Sequence, residues 1–141
     1  MSGSGVEWIV EAYGCAADAL ADVARLQRLF DAVIGELGLQ AVGQPLWHKF
    51  PGPGGVTGLC LLAESHIACH TFPEYGSLCL NVFCCRLRPE WDFAACLRRE
   101  FAASRVSVRR VMRHYRDDST AHHTANGELS ELRRGDPFPV V

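Results

Sequence analysis

Apolar and polar residues alternate in part over residues 6–13 (VEWIVEAY), the period of a strand with one buried face. Gly14 ends it, and the period lengthens. Leu20, Val23, Leu26, Phe30, Val33 and Leu37 recur at helical spacing, with Asp22, Arg25, Arg28, Asp31 and Glu36 between them, which predicts one helix over residues 16–37. Asp18 suits its first turn, and Gly38 its left-handed stop. Residues 39–50 read as a second strand, Pro51-Gly52-Pro53-Gly54-Gly55 as a turn, and residues 56–63 as a third strand. Residues 67–72 continue the same sheet after a polar break. Residues 73–77 turn the chain, and residues 78–85 (LCLNVFCC) form a near-continuous apolar strand, the pattern of burial on both faces. Pro89 opens a second helix, in which Phe93, Leu97 and Phe101 repeat every four residues to about Ala103. Residues 105–114 (RVSVRRVMRH) make a last strand with an arginine-rich outer face.

Strand, helix, several strands, helix, strand is the order of an α+β fold: a two-layer sandwich, with a mostly antiparallel sheet and two helices on one face. One sheet face is then left without cover, and the apolar strand at 78–85 suggests that a partner subunit supplies it. From Arg116 the chain turns polar, with Asp117-Asp118, His122-His123, Gly127 and Gly135. Residues 1–115 therefore read as one domain, and residues 116–141 as a polar, loosely attached tail.

Composition narrows the function classes. A net charge of −2 over 141 residues offers no basic surface for nucleic acid or an anionic membrane. No apolar run is long enough to span a bilayer. The start, Met1-Ser2-Gly3-Ser4-Gly5, has no charged and apolar leader, so the expected compartment is the cytoplasm. Seven cysteines without an export signal are expected as free thiols.

The polar break is where chemistry concentrates. Within one short segment lie Glu64, Ser65, His66, His70 and Glu74. Unpaired polar groups in a core are costly, so the segment either leaves the core or does work. A serine nucleophile needs a base, and His66 and His70 are both candidates. The flanking Ala63 and Ile67 exclude the Gly-x-Ser-x-Gly elbow of the hydrolases. Cysteine spacing shows no Cys-x2-Cys pair, so no metal site is expected. Taken singly, each histidine also reads as a satisfied structural residue.

The run Glu64-Ser65-His66-x-x-x-His70-Thr71-Phe72-Pro73-Glu74 resembles the signature of the prokaryotic S-adenosylmethionine decarboxylases, which are pyruvoyl-dependent, self-processing enzymes of polyamine synthesis. That pattern is Glu-Ser-His-x-x-x-His-Thr-Trp-Pro-Glu, followed on the next strand by Asp-x-Phe-Thr-Cys, where this chain has Asn81-Val82-Phe83-Cys84-Cys85. The resemblance runs from about Val6 to Val108.

It implies self-cleavage between Glu64 and Ser65, the serine becoming a covalent pyruvoyl group at a new N-terminus. His70 matches the proton acceptor of processing, and Thr57 a hydroxyl residue that assists it. Decarboxylation of an α-amino acid leaves a carbanion that needs an electron sink, which a pyruvoyl Schiff base supplies. Cys85 matches the proton donor for that carbanion; an ordinary thiol, with a pKa of about 8.5, is mostly protonated at neutral pH. Phe50 matches an aromatic that stacks on adenine, and Glu74 an acid near the ribose hydroxyls. Phe72 for Trp and Asn81 for Asp are departures beside the substrate. The implied protein is a homodimer of cleaved protomers acting on a small molecule, S-adenosylmethionine, to supply the aminopropyl donor for spermidine. Arginine or ornithine as substrate, and an uncleaved non-enzymatic relative, are the alternatives.

Overall fold

The computed structural model describes residues 3–117. The alternation near the start becomes β1 (Ser4–Tyr13), whose Val6, Trp8, Val10 and Ala12 are buried while Glu7, Ile9, Glu11 and Tyr13 face the other way. The single helix expected over 16–37 is two. A turn of helix, α1 (Ala17–Leu20), precedes α2 (Val23–Leu37). The division lies at Asp22, whose Oδ1 accepts from the N–H groups of Ala24 at 2.9 Å and Arg25 at 3.4 Å and so starts a new helix. Gly38, at φ 63°, stops α2, and the Leu39 N–H closes back on the Ile34 carbonyl at 2.8 Å.

The expected second strand is shorter. Only β2 (Leu46–Lys49) pairs continuously, with an isolated bridge from Ala41 to Leu62 before it. Gly43, at φ 75°, and Pro45 interrupt the ladder between them. β3 (Val56–Leu61) turns into β4 (Ser65–Phe72), and β5 (Ser77–Cys84) follows. α3 (Phe93–Phe101) begins four residues after Pro89, capped by Asp92, whose carboxylate accepts from the Ala95 N–H at 2.9 Å. β6 (Arg105–His114) ends the fold.

All six strands form one antiparallel sheet, in the order β2-β3-β4-β5-β1-β6. The helices cover one face. Leu26, Leu29, Phe30 and Val33 of α2, and Phe93, Leu97 and Phe101 of α3, pack on the inward residues of the strands. Trp8 meets Phe93 at 5.7 Å between ring centroids, and Phe30 meets Trp47 at 4.7 Å. Trp47 lies over Gly58, where a Cβ would come within 2.2 Å of the indole. Thr71 is the buried polar residue of this layer. Its hydroxyl donates to the Leu20 carbonyl at 2.7 Å and accepts from the Val56 N–H at 2.8 Å, tying α1 to the sheet.

β5 is not buried on both faces within the protomer. Leu78, Leu80, Val82 and Cys84 are buried, but Cys79 is exposed and Asn81 and Phe83 are half-buried. Its apolar appearance arises because cysteine and phenylalanine occupy outward positions. The whole outward face is open, and it carries Leu46 (72% exposed), Leu59 (47%), Leu61 (60%) and Phe72 (37%). The tail expected over 116–141, with His122 and His123, lies outside the described residues from position 118 onward.

Candidate active site

β3 and β4 are joined by a two-residue tip. Leu62 pairs across to Ser65, with its N–H donating to the Ser65 carbonyl at 3.0 Å, so Ala63 and Glu64 form the turn. The Glu64-Ser65-His66 break is thus a hairpin end, which explains polar residues between two apolar strands. The Glu64 carbonyl is not idle. It accepts from the Cys85 N–H at 2.9 Å, one step beyond the pairing of Ser65 with Cys84. The Glu64 carboxylate is held as well, by the Gln40 N–H at 3.2 Å and by the Arg88 guanidinium at 3.6 Å. Arg88 keeps its Nε buried without a partner among the described residues. Tyr115 donates its hydroxyl to the Cys85 carbonyl at 2.9 Å, fixing the next peptide along the chain.

Cys84 and Cys85 differ in kind. Cys84 points into the core, and burial pushes its thiol up to about 11, Arg88 opposing that and Glu64 adding to it. Cys85 is half-exposed and lines a cavity of about 350 Å³ with Gly38, Gln40, Ala63, Glu64, Arg86 and Arg88. The sequence-based choice of Cys85 over Cys84 therefore falls on the accessible thiol beside the hairpin tip.

On the outward face a polar chain starts at the same tip. Ser65 Oγ lies 3.3 Å from His66 Nδ1. His66 Nε2 lies 2.9 Å from Asn81 Oδ1, and Asn81 Nδ2 donates to Glu7 Oε1 at 2.8 Å. Arg113 donates to the other Glu7 oxygen. The Asn81 bond chiefly holds the Glu7 carboxyl below its usual value; burial opposes this, and Arg113 adds to it. The sequence assigns no role to Glu7 or Arg113 and marks Asn81 only as a departure beside the substrate, whereas the structure makes it the partner of His66. The available signal was position: Glu7 lies outward on β1, and Arg113 belongs to the arginine-rich strand noted above.

Thr57 and His70 meet, Oγ1 to Nδ1, at 3.1 Å across the β3–β4 pairing. Phe50 is 47% exposed and sits edge-on to His48, whose partner in the ladder is Thr57. Glu74 lies past the end of β4 and lines a second cavity, about 470 Å³, with Ala17, Asp18, Ala21, Pro51, Pro53, Gly54 and Pro73. The expected residues therefore divide. Glu64, Ser65 and Cys85 stand at one end of β4, while Phe50, Thr57, His70 and Glu74 stand toward the other. Ser65 and His70 are five residues apart on one strand, about 16 Å.

A family model described as S-adenosylmethionine decarboxylase matches residues 6–114. The chain is 35% identical over 114 residues to an S-adenosylmethionine decarboxylase proenzyme of Carboxydothermus hydrogenoformans, covering 80% of this chain and 88% of the relative. It is 34% identical over 107 residues to one of Moorella thermoacetica, covering 74% and 83%. Among solved structures it resembles the crystal structure of the adenosylmethionine decarboxylase of Aquifex aeolicus, with TM-score 0.66, 23% identity, and coverage of 84% and 97%. At that identity the last likeness speaks for the α+β fold alone.

Proposed function

The chain belongs to the S-adenosylmethionine decarboxylase family and is a decarboxylase, and from that premise we propose that it is made as a proenzyme, cuts itself between Glu64 and Ser65, and decarboxylates S-adenosylmethionine. The observation that carries the self-cleavage reading is the Glu64 carbonyl, set at a hairpin tip and receiving the Cys85 N–H at 2.9 Å. Attack by Ser65 Oγ on that carbonyl carbon puts negative charge on its oxygen. A fixed backbone donor already aimed there stabilises the charge without reorganisation. Arg88 and the Gln40 N–H restrain the Glu64 side chain, so the peptide stays in register while its bond changes.

Once formed from Ser65, a pyruvoyl group supplies the electron sink that decarboxylation needs. The chain's own residues surround that position suitably. Cys85 offers a half-exposed thiol beside it as proton donor, whereas Cys84 is sealed in the core. In our reading His70, oriented by Thr57, takes the Cα proton that must leave during processing. Phe50 and Glu74, near the same end of β4, take the nucleoside: an exposed ring for stacking and a carboxylate for hydroxyl groups.

These two groups of residues meet only if a second protomer brings them together. We therefore read the enzyme as a homodimer packed through its open sheet faces, each site combining Ser65 and Cys85 of one protomer with Thr57, His70, Phe50 and Glu74 of its partner. The outward Leu46, Leu59, Leu61 and Phe72 supply apolar area for that contact. We take residues 1–115 as the catalytic domain and 116–141 as an appended tail. The cytoplasm is the proposed compartment: all seven cysteines are free, as a reducing environment keeps them. No helix among the described residues is long and apolar enough to cross a membrane.

The test is intact mass under denaturing conditions after incubation at neutral pH, followed by carbon dioxide release from S-adenosylmethionine, arginine and ornithine in parallel. Two fragments meeting at Glu64 and Ser65, and release from S-adenosylmethionine alone, are expected. A single uncut chain sinks the self-cleavage reading, and release from arginine or ornithine instead sinks the substrate.

A further inference from the structure

The outward polar chain fixes a proton. Glu7 pairs with Arg113 and is held as a carboxylate, which accepts hydrogen bonds and donates none. The Asn81 amide must therefore turn its NH2 toward Glu7, as its 2.8 Å contact has it, and its oxygen toward His66. An amide oxygen 2.9 Å from His66 Nε2 requires a hydrogen on that nitrogen. In the neutral imidazole the other nitrogen, Nδ1, is then bare. It faces the Ser65 hydroxyl at 3.3 Å. A nucleophile, a base and a third group that orients the base make the arrangement of a catalytic triad, here with an amide backed by a carboxylate as the third member.

We propose that His66 is the general base for the first step of self-cleavage, and that Asn81, held by Glu7 and Arg113, is the positioning residue that fixes its tautomer. The inference rests on the self-cleavage reading given above. The Ser65 Oγ–H proton passes to Nδ1 as the Oγ bond to the Glu64 carbonyl carbon forms. The carbonyl π pair moves onto oxygen, where the Cys85 N–H receives it. When that pair returns, the bond from carbon to the Ser65 nitrogen breaks. The nitrogen takes the proton from Nδ1, leaving an ester and a free amine. His66 ends as it began. The later elimination removes a proton from carbon and belongs to a different imidazole, that of His70.

The groups facing His66 are Leu61 on β3 and Asn81 and Phe83 on β5, with Glu7 of β1 and Arg113 of β6 behind them. Glu7 and Arg113 are the charged ones, and they pair with each other.

Hydroxylamine separates the two steps, because it cuts an ester at Ser65 but leaves the amide intact. Proenzymes are incubated, denatured, and analysed by mass with and without it. His66→Gln is expected to stay full-length and hydroxylamine-resistant, with cleavage slowed by about 100-fold or more, the usual worth of a positioned base. Added imidazole should recover part of the rate. His70→Ala should instead accumulate hydroxylamine-sensitive chain. Asn81→Leu should slow the first step, while Asn81→Asp combined with Glu7→Gln, in which the new amide at position 7 donates to a carboxylate that accepts from Nε2, should still cut, its loss of rate in acid moved to higher pH by a negative charge brought closer to His66. The inference is overturned if folded His66→Gln cuts at the wild-type rate with the wild-type pH profile, or if it accumulates ester. It is also overturned if Asn81→Leu and the double variant Asn81→Asp, Glu7→Gln behave alike. A wild type that never cuts overturns the self-cleavage reading itself, a different result from either.

Discussion

A dimer assembled from one Ser65→Ala protomer and one His70→Ala protomer should cut one of its two chains. The His70→Ala chain still carries a serine to attack its own Glu64 carbonyl, and the Ser65→Ala chain can lend it an imidazole. Ser65 and His70 of one chain lie about 16 Å apart along β4, far beyond the roughly 3 Å at which a base takes a proton. No rotamer closes such a gap. In a two-fold dimer the mixed species restores one complete site and destroys the other. Complete processing of the purified mixed dimer therefore converts about half of its chains, all of them His70→Ala. Each variant carries its own affinity tag, the pair is coexpressed, and tandem purification isolates the mixed species for denaturing mass analysis without hydroxylamine. The two homodimers serve as uncut controls. A mixed dimer as uncut as those controls would refute the shared site, and cleavage of the His70→Ala homodimer would remove His70 from processing altogether.

Three further outcomes follow from the same geometry. Leu61→Glu places a charge on the open sheet face at a position 60% exposed in the protomer; sedimentation should show monomer, with self-cleavage lost and the folded far-ultraviolet spectrum kept. Thr71→Val leaves the Val56 N–H and the Leu20 carbonyl unpaired in the core. It should cost about 1–3 kcal/mol, read by calorimetry at roughly 3–4 °C of thermal midpoint per kcal/mol. Glu7→Gln tests a carboxyl whose folded value lies below the usual one, chiefly through Asn81. Such a group stabilises the fold above the ordinary carboxylate range, and loses that contribution as pH falls through the lowered value. Urea unfolding should find wild type more stable than Glu7→Gln at pH 7, with the gap closing toward pH 3; a gap that persists in acid refutes the ionic role.

Most of the fold was legible because period and punctuation agree. The strand at residues 6–13, the Gly38 stop and the last strand appear where the pattern put them. Two of the differences have local reasons. A side chain outside the apolar stripe, Asp22, divides a helix that the stripe alone continues. Cysteine and phenylalanine at outward positions make β5 look buried on both faces, because the pattern counts apolar atoms and not what lies beyond the sheet. The candidate site is legible in a different sense. Glu64, Ser65, His70 and Cys85 come from one linear run and the following strand. The groups behind Asn81, the partner of His66, come from strands remote in sequence: Glu7 from β1, which lies beside β5, and Arg113 from β6, which lies beside β1. No spacing rule within a segment reaches them.

The sheet order has a consequence for the protein once cut as proposed. Everything before Ser65 contributes β1, β2 and β3, and everything after it contributes β4, β5 and β6. Yet β1 lies between β5 and β6, and β3 is bonded along β4. Breaking one bond at a hairpin tip therefore does not free either fragment, since each is threaded through the ladders of the other. What changes is molecularity. Before the cut, a protomer refolds from a single chain; after it, each protomer requires two fragments to find each other, which adds a concentration dependence to that of dimer assembly. The mature protein would then be held together by assembly kinetics as much as by its contacts, easily kept and slowly regained.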